Sequence, residues 1–119
     1  MFTCHIRYVL APGKIGEFKE YARAWMPLIE KYGGTHHGYF IPGEASDNLP
    51  AASFSFPGLG AEGPANVAVA LFSFPDVQTY EAYRRNVAED SACKAATARF
   101  NASKCFVSYE RTFLKPVAR

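Results

Sequence analysis

A chain of 119 residues, 49% hydrophobic and 20% charged, has enough apolar material for one packed core but is too short for a cofactor domain beside a substrate domain. Its net charge of +2, with no basic run longer than Arg84-Arg85 or the tail Lys115 to Arg119, supplies no phosphate-tracking stripe and argues against nucleic acid as a partner. No apolar stretch approaches the roughly 20 residues a membrane-crossing helix needs, and residues 1–7 lack the basic start and apolar middle of a signal peptide. The expectation is therefore a single cytoplasmic domain over 1–119.

Phe2, Cys4, Ile6, Tyr8 and Leu10 alternate with Thr3, His5, Arg7 and Val9, the period of a strand with one apolar face over about 2–10. Ala11-Pro12-Gly13 breaks it. Ile15, Phe18, Ala22, Trp25, Ile29 and Tyr32 then recur at three-and-four spacing, which predicts a helix ending before Gly33-Gly34, with Pro27 kinking it or opening its last turns. Thr35 to Ile41 reads as a second strand.

From Pro42 to Ala65 the chain holds Pro42, Pro50, Pro57 and Pro64 with Gly43, Gly58, Gly60 and Gly63, a density that predicts an exposed loop insertion over about 44–65. Gly58, Gly60 and Gly63 spell G-x-G-x-x-G. The dinucleotide fingerprint needs a strand before it and a helix opening straight after, whereas Gly63 is followed by Pro64 and an apolar run, so these glycines read as turn formers. Phe54-Ser55-Phe56-Pro57 repeats as Phe72-Ser73-Phe74-Pro75, and Phe54 and Phe56 are expected to fold back over the barrel rim, a partner subunit or a pocket mouth.

Val67 to Phe72 is apolar at every position, as in a strand buried on both faces. Asp76 caps a helix carrying Val77, Tyr80, Arg84 and Val87, a further helical segment runs from Asp90 to about Asn101, and Cys105 to Leu114 closes with strand alternation. Strand, helix, strand, strand, helix, strand is the split β-α-β repeat: an α+β, ferredoxin-like βαββαβ fold with a four-stranded antiparallel sheet. Helices on one face leave the third strand's other face bare, and a homodimer joined sheet to sheet is the simplest cover for it.

Tyr8, Pro12-Gly13-Lys14 with Glu17-Phe18, the run Gly33 to Phe40, Ala70-Leu71-Phe72-Ser73-Phe74-Pro75 and Tyr80-Glu81-Ala82-Tyr83-Arg84 together resemble the NIPSNAP family, within the wider group of dimeric α/β-barrel proteins. The resemblance implies a dimeric barrel with a cavity in each subunit. Related families use that cavity for cofactor-independent oxygenation, isomerisation, cyclisation or haem chemistry. Many relatives carry an acidic residue and an arginine early in strand one; here those places hold Cys4 and Ile6, with Arg7 on the opposite face.

The candidate site joins His5, Arg7, His37, Tyr39 and Tyr109, polar side chains on strands otherwise supplied with apolar residues. His5 and His37 are the candidate general bases, while Arg7, Tyr39 and Tyr109 would hold a substrate and stabilise the resulting anion. Trp25 would wall the pocket beside Phe18 and Tyr21. The expected ligand is a hydrophobic or aromatic small molecule, handled as substrate by a small monooxygenase, isomerase or cyclase, or merely bound by a non-catalytic dimeric module. Adjacent strand residues point to opposite faces, so His36 and His37 cannot share a metal. His5, a second histidine and a carboxylate such as Glu110 could in principle hold iron or zinc, and no spacing selects that arrangement. No cofactor and no metal are expected. Cys4, Cys93 and Cys105 have neither disulfide-framework nor zinc-knuckle spacing and read as reduced, buried thiols.

Overall fold

In the computed structural model, which describes residues 1–119, the chain folds in the order β1 (Phe2–Leu10), α1 (Ile15–Lys31), β2 (Thr35–Phe40), β3 (Val67–Phe74), α2 (Val77–Ala88), α3 (Ser91–Ser103) and β4 (Phe106–Leu114), with one short 3-10 turn, Ala45–Asp47, between β2 and β3. The strands form one antiparallel sheet in the order β2-β3-β1-β4. This is the α+β, ferredoxin-like arrangement, extended by a third helix before the last strand.

Each element follows from local sequence. The alternation in β1 survives as burial: Cys4, Ile6, Tyr8 and Leu10 are buried under the helices, while Thr3, His5, Arg7 and Val9 stand half-buried on the other side. Helix α1 runs through Pro27 and ends where Gly33 takes a positive φ of 98° that favours glycine. Asp76 caps α2, its Oδ1 accepting from the backbone N–H of Thr79 at 2.7 Å, and Asp90 caps α3 in the same way through Ala92 N–H at 2.8 Å. Phe18, Ile29, Phe72 and Phe74, at most 2% exposed, fill the space between helices and sheet, and the three cysteines are free and buried there.

Strand β3 carries apolar side chains on both faces, but within the chain only its helix-side face is buried throughout. Ala68, Ala70, Phe72 and Phe74 face the helices, and Val67, Val69 and Leu71 lie half-buried on the outer side. The loop from Pro42 to Asn66 is exposed almost throughout. Phe54, Phe56 and Leu59 are 52%, 74% and 83% exposed, so within one chain they do not fold back over the sheet or a pocket. The Phe54 ring packs instead against Gly60, where a Cβ would come within 2.6 Å of it. The glycine-rich stretch leads into β3 and opens no helix, as its sequence context requires.

The strand that departs most from simple alternation is β2. Its register with β3 slips between His36 and Gly38, so that Thr35 pairs with Ser73, His36 with Phe72, Gly38 with Leu71 and Tyr39 with Ala70. His37 is the extra residue of a β-bulge, and Gly38 relieves it with φ of 137°. The bulge carries Tyr39 to the helix side, although Thr35, of the same parity, faces outward.

Candidate functional site: an aromatic cavity between sheet and helices

A cavity of about 280 Å³ lies between the sheet and all three helices. Its floor is strand: Ile6 and Tyr8 from β1, Tyr39 from β2, Phe72 from β3, and Phe106, Tyr109 and Arg111 from β4. Helix α1 contributes Tyr21, Trp25 and Ile29, α2 contributes Tyr83 and Arg84, and α3 contributes Thr97 and Phe100. Ile6, Tyr8, Ile29, Phe72 and Tyr83 are buried, whereas Arg84, Thr97, Tyr109 and Arg111 are exposed and form the rim. The interior is aromatic and the mouth is cationic.

Tyr8 is the hub. Its ring lies 5.0 Å from Phe18, 4.9 Å from Phe106, 6.1 Å from Tyr21, 6.2 Å from Tyr39 and 6.1 Å from Tyr109, centroid to centroid, the separations at which aromatic pairs attract. Burial pushes the Tyr8 phenol well above its ordinary pKa, with the Tyr39 phenol adding to it. Burial raises Tyr21, Tyr39 and Tyr83 in the same direction. All four phenols stay protonated at neutral pH, so they donate hydrogen bonds and do not abstract protons.

The expected site residues divide between two faces of the sheet. Trp25, Tyr39 and Tyr109 do meet in the cavity. His5, Arg7 and His37 do not: β1 alternation sends His5 and Arg7 to the outer face, and the bulge breaks the parity that would have put His37 and Tyr39 on the same side. On that outer face Nε2 of His37 and Oγ of Ser73 are 2.7 Å apart, and Oγ of Ser73 and Oγ1 of Thr3 are 2.8 Å apart. Glu110 lies on the same face, opposite Arg7. No group of three or more His, Cys, Asp or Glu side chains is placed to hold a metal ion.

Sequence reasoning passed over Arg111 and Tyr8. Both were within reach of it: Arg111 shares the parity of Tyr109 on β4, and its register partner is Ile6. One of the cavity's two guanidiniums therefore comes from β4, across from Ile6 of β1. His36, outside the expected site, stacks its ring on Tyr39 at 5.3 Å. Its Nε2 is buried without a partner, and burial lowers its pKa, against a smaller opposing pull from Glu30.

The comparisons agree with this architecture. No curated protein matches the chain. Among solved structures, it is similar to a NIPSNAP domain protein from Burkholderia xenovorans, at 21% identity and a TM-score of 0.71 over 99% of this chain and 96% of that one. It is similar also to a NIPSNAP family protein from Agrobacterium tumefaciens, at 18% identity and a TM-score of 0.70 over 98% and 92%. A Nitrosomonas europaea protein assigned to antibiotic biosynthesis monooxygenases shares the fold at 9% identity and a TM-score of 0.62 over 99% and 100%. The NIPSNAP family model matches residues 5–119, and with nearly the whole length covered the chain belongs to the NIPSNAP family.

Proposed function

We propose that the protein takes a hydrophobic, aromatic small molecule into this cavity and converts it without a bound cofactor, by oxygenation, isomerisation or cyclisation. The observation that carries the reading is the cluster of protonated phenols inside an aromatic cavity of about 280 Å³, near the low end of small-molecule sites. Phenols held protonated by burial are suited to donating hydrogen bonds to an oxyanion as it forms, where low polarity strengthens each bond. His5 and His37, across the sheet, take no part in that step. The likeness in fold to a monooxygenase-type protein is consistent with oxygenation and selects nothing finer.

The absence of any imidazole or carboxylate from the lining residues favours a second reading, in which the cavity binds the same class of molecule without turning it over. A thermal-shift screen of aromatic compounds, followed by product analysis and oxygen uptake for each one that binds, separates the two. Binding with turnover that falls in Tyr39→Phe supports an enzyme. Binding with no product from any compound supports the module, and no binding at all refutes both.

Either reading has the chain working as a homodimer. Val67, Val69 and Leu71 line the outer face of β3, which no helix covers, and an apolar strip there is better accounted for by a second sheet than by water.

A further inference from the structure

The cavity is polarised in a way the reading above does not use. Arg84 and Arg111 sit on its rim, neither is ion-paired in the chain, and none of the 14 lining residues is acidic. The charge of both guanidiniums acts on the same buried groups, partly offsetting the effect of burial on Cys4 and on Tyr83. Further in, the indole N–H of Trp25 is buried with no acceptor in the chain, which is unfavourable unless a bound group supplies one. Every polar group that a ligand would meet here is a donor or a cation, save oxygens that also donate.

We propose that the ligand is an organic anion, a flat aromatic body bearing a carboxylate, phenolate or enolate oxygen, with its charge at Arg111 and Arg84 and its rings among Tyr8, Tyr39 and Trp25. This rests on the cavity being a small-molecule site and adds the ligand's charge. Arginine suits the task because its planar donors pair with oxyanions and its charge persists at all physiological pH values. An apolar wall behind the anion leaves the arginines as its main electrostatic partners, so charge is read at the mouth and shape inside.

Two probes of nearly equal shape isolate the charge: 2-naphthoate and its neutral amide, 2-naphthamide, titrated calorimetrically into the full chain. Trp25 is the only tryptophan, so a single indole N–H cross-peak in a nitrogen-proton correlation spectrum reports on the cavity. Wild type should bind the naphthoate roughly tenfold or more tightly than the amide, moving that cross-peak. Arg111→Met should abolish most of the difference while leaving amide affinity little changed. Added salt should weaken the naphthoate alone in wild type, a measurement that needs no variant. Equal affinities, an undiminished preference in Arg111→Met, or naphthoate binding that leaves the Trp25 peak unmoved would overturn the anion proposal and leave the cavity reading standing. If neither probe binds, the cavity reading falls, and this proposal with it.

Discussion

The phenol of Tyr32 donates to Oδ2 of Asp90 at 2.5 Å, joining the end of α1 to the cap of α3. Lys31 Nζ reaches the same oxygen at 2.9 Å, and Oδ1 accepts from Ala92 N–H. One carboxylate thus ties together the two helices that supply Trp25 and Phe100 to the cavity. The Tyr32 bond, then Lys31, then the Ala92 amide hold its pKa well below the ordinary carboxylate value of 3.8. A depressed carboxylate contributes stability above its unfolded pKa and loses it as pH falls through the folded one. Asp90→Asn should lower Tm by a few degrees near neutrality and flatten the acid limb below pH 3.8, as read from melts across the acid range.

His36 provides a second window at higher pH. Burial lowers its pKa beneath the ordinary 6.5, so below pH 6.5 the unfolded chain takes up the proton first and stability falls as pH falls. His36→Phe keeps a ring against Tyr39 and removes the titration. Its urea midpoint should stay flat through that window where wild type slopes, and equal slopes would refute the assignment.

Gly38 holds the bulge at φ of 137°, and a Cβ there would meet the Phe40 ring at 2.9 Å. Gly38→Ala should cost about 1–3 kcal/mol in chemical denaturation. Gly13, with φ of 70° but open space around it, should suffer less from the same change.

The two faces of the sheet predict opposite responses to substitution. Tyr39→Phe removes one donor without removing the ring and should weaken an aromatic ligand about threefold to tenfold in calorimetry. His5→Ala and His37→Ala, on the far side, should change that affinity by less than about twofold. A loss in the histidine variants equal to that in Tyr39→Phe would return the imidazoles to the site.

Sedimentation tests the outer face. Wild type should run as a dimer at micromolar concentration, and Leu71→Asp, which puts a charge amid Val67 and Val69, should run as a monomer with its fold intact. A monomeric wild type would contradict the proposed pairing.

The ordering of elements was legible because local chemistry dictates it: alternation in β1, the apolar stripe of α1, and Asp76 before Thr79. The cavity was legible only in part. Trp25, Tyr39 and Tyr109 are large and conspicuous, but which face each strand residue takes depends on register, and plain alternation does not hold across the bulge in β2. The bulge at His37 depends on pairing with β3, a long-range fact with no local signature beyond Gly38. Arg111 was missed for a simpler reason, since a charged residue on an edge strand looks like surface until the helices opposite it are placed.

That bulge makes β2 a strand with two reading frames. Before it, odd positions look outward; after it, they look inward, so one residue decides whether a phenol or a backbone methylene faces the helices. Drawing His37 into the ladder as an ordinary pair would restore plain alternation and turn Tyr39 to the outer face, leaving Tyr8 without one of its aromatic neighbours, whereas deleting His37 would remove the bulge and keep Tyr39 opposite Ala70 on the helix side. Whether the extra residue bulges out or joins the ladder therefore decides which chemistry each side of β2 presents, with the fold itself unchanged.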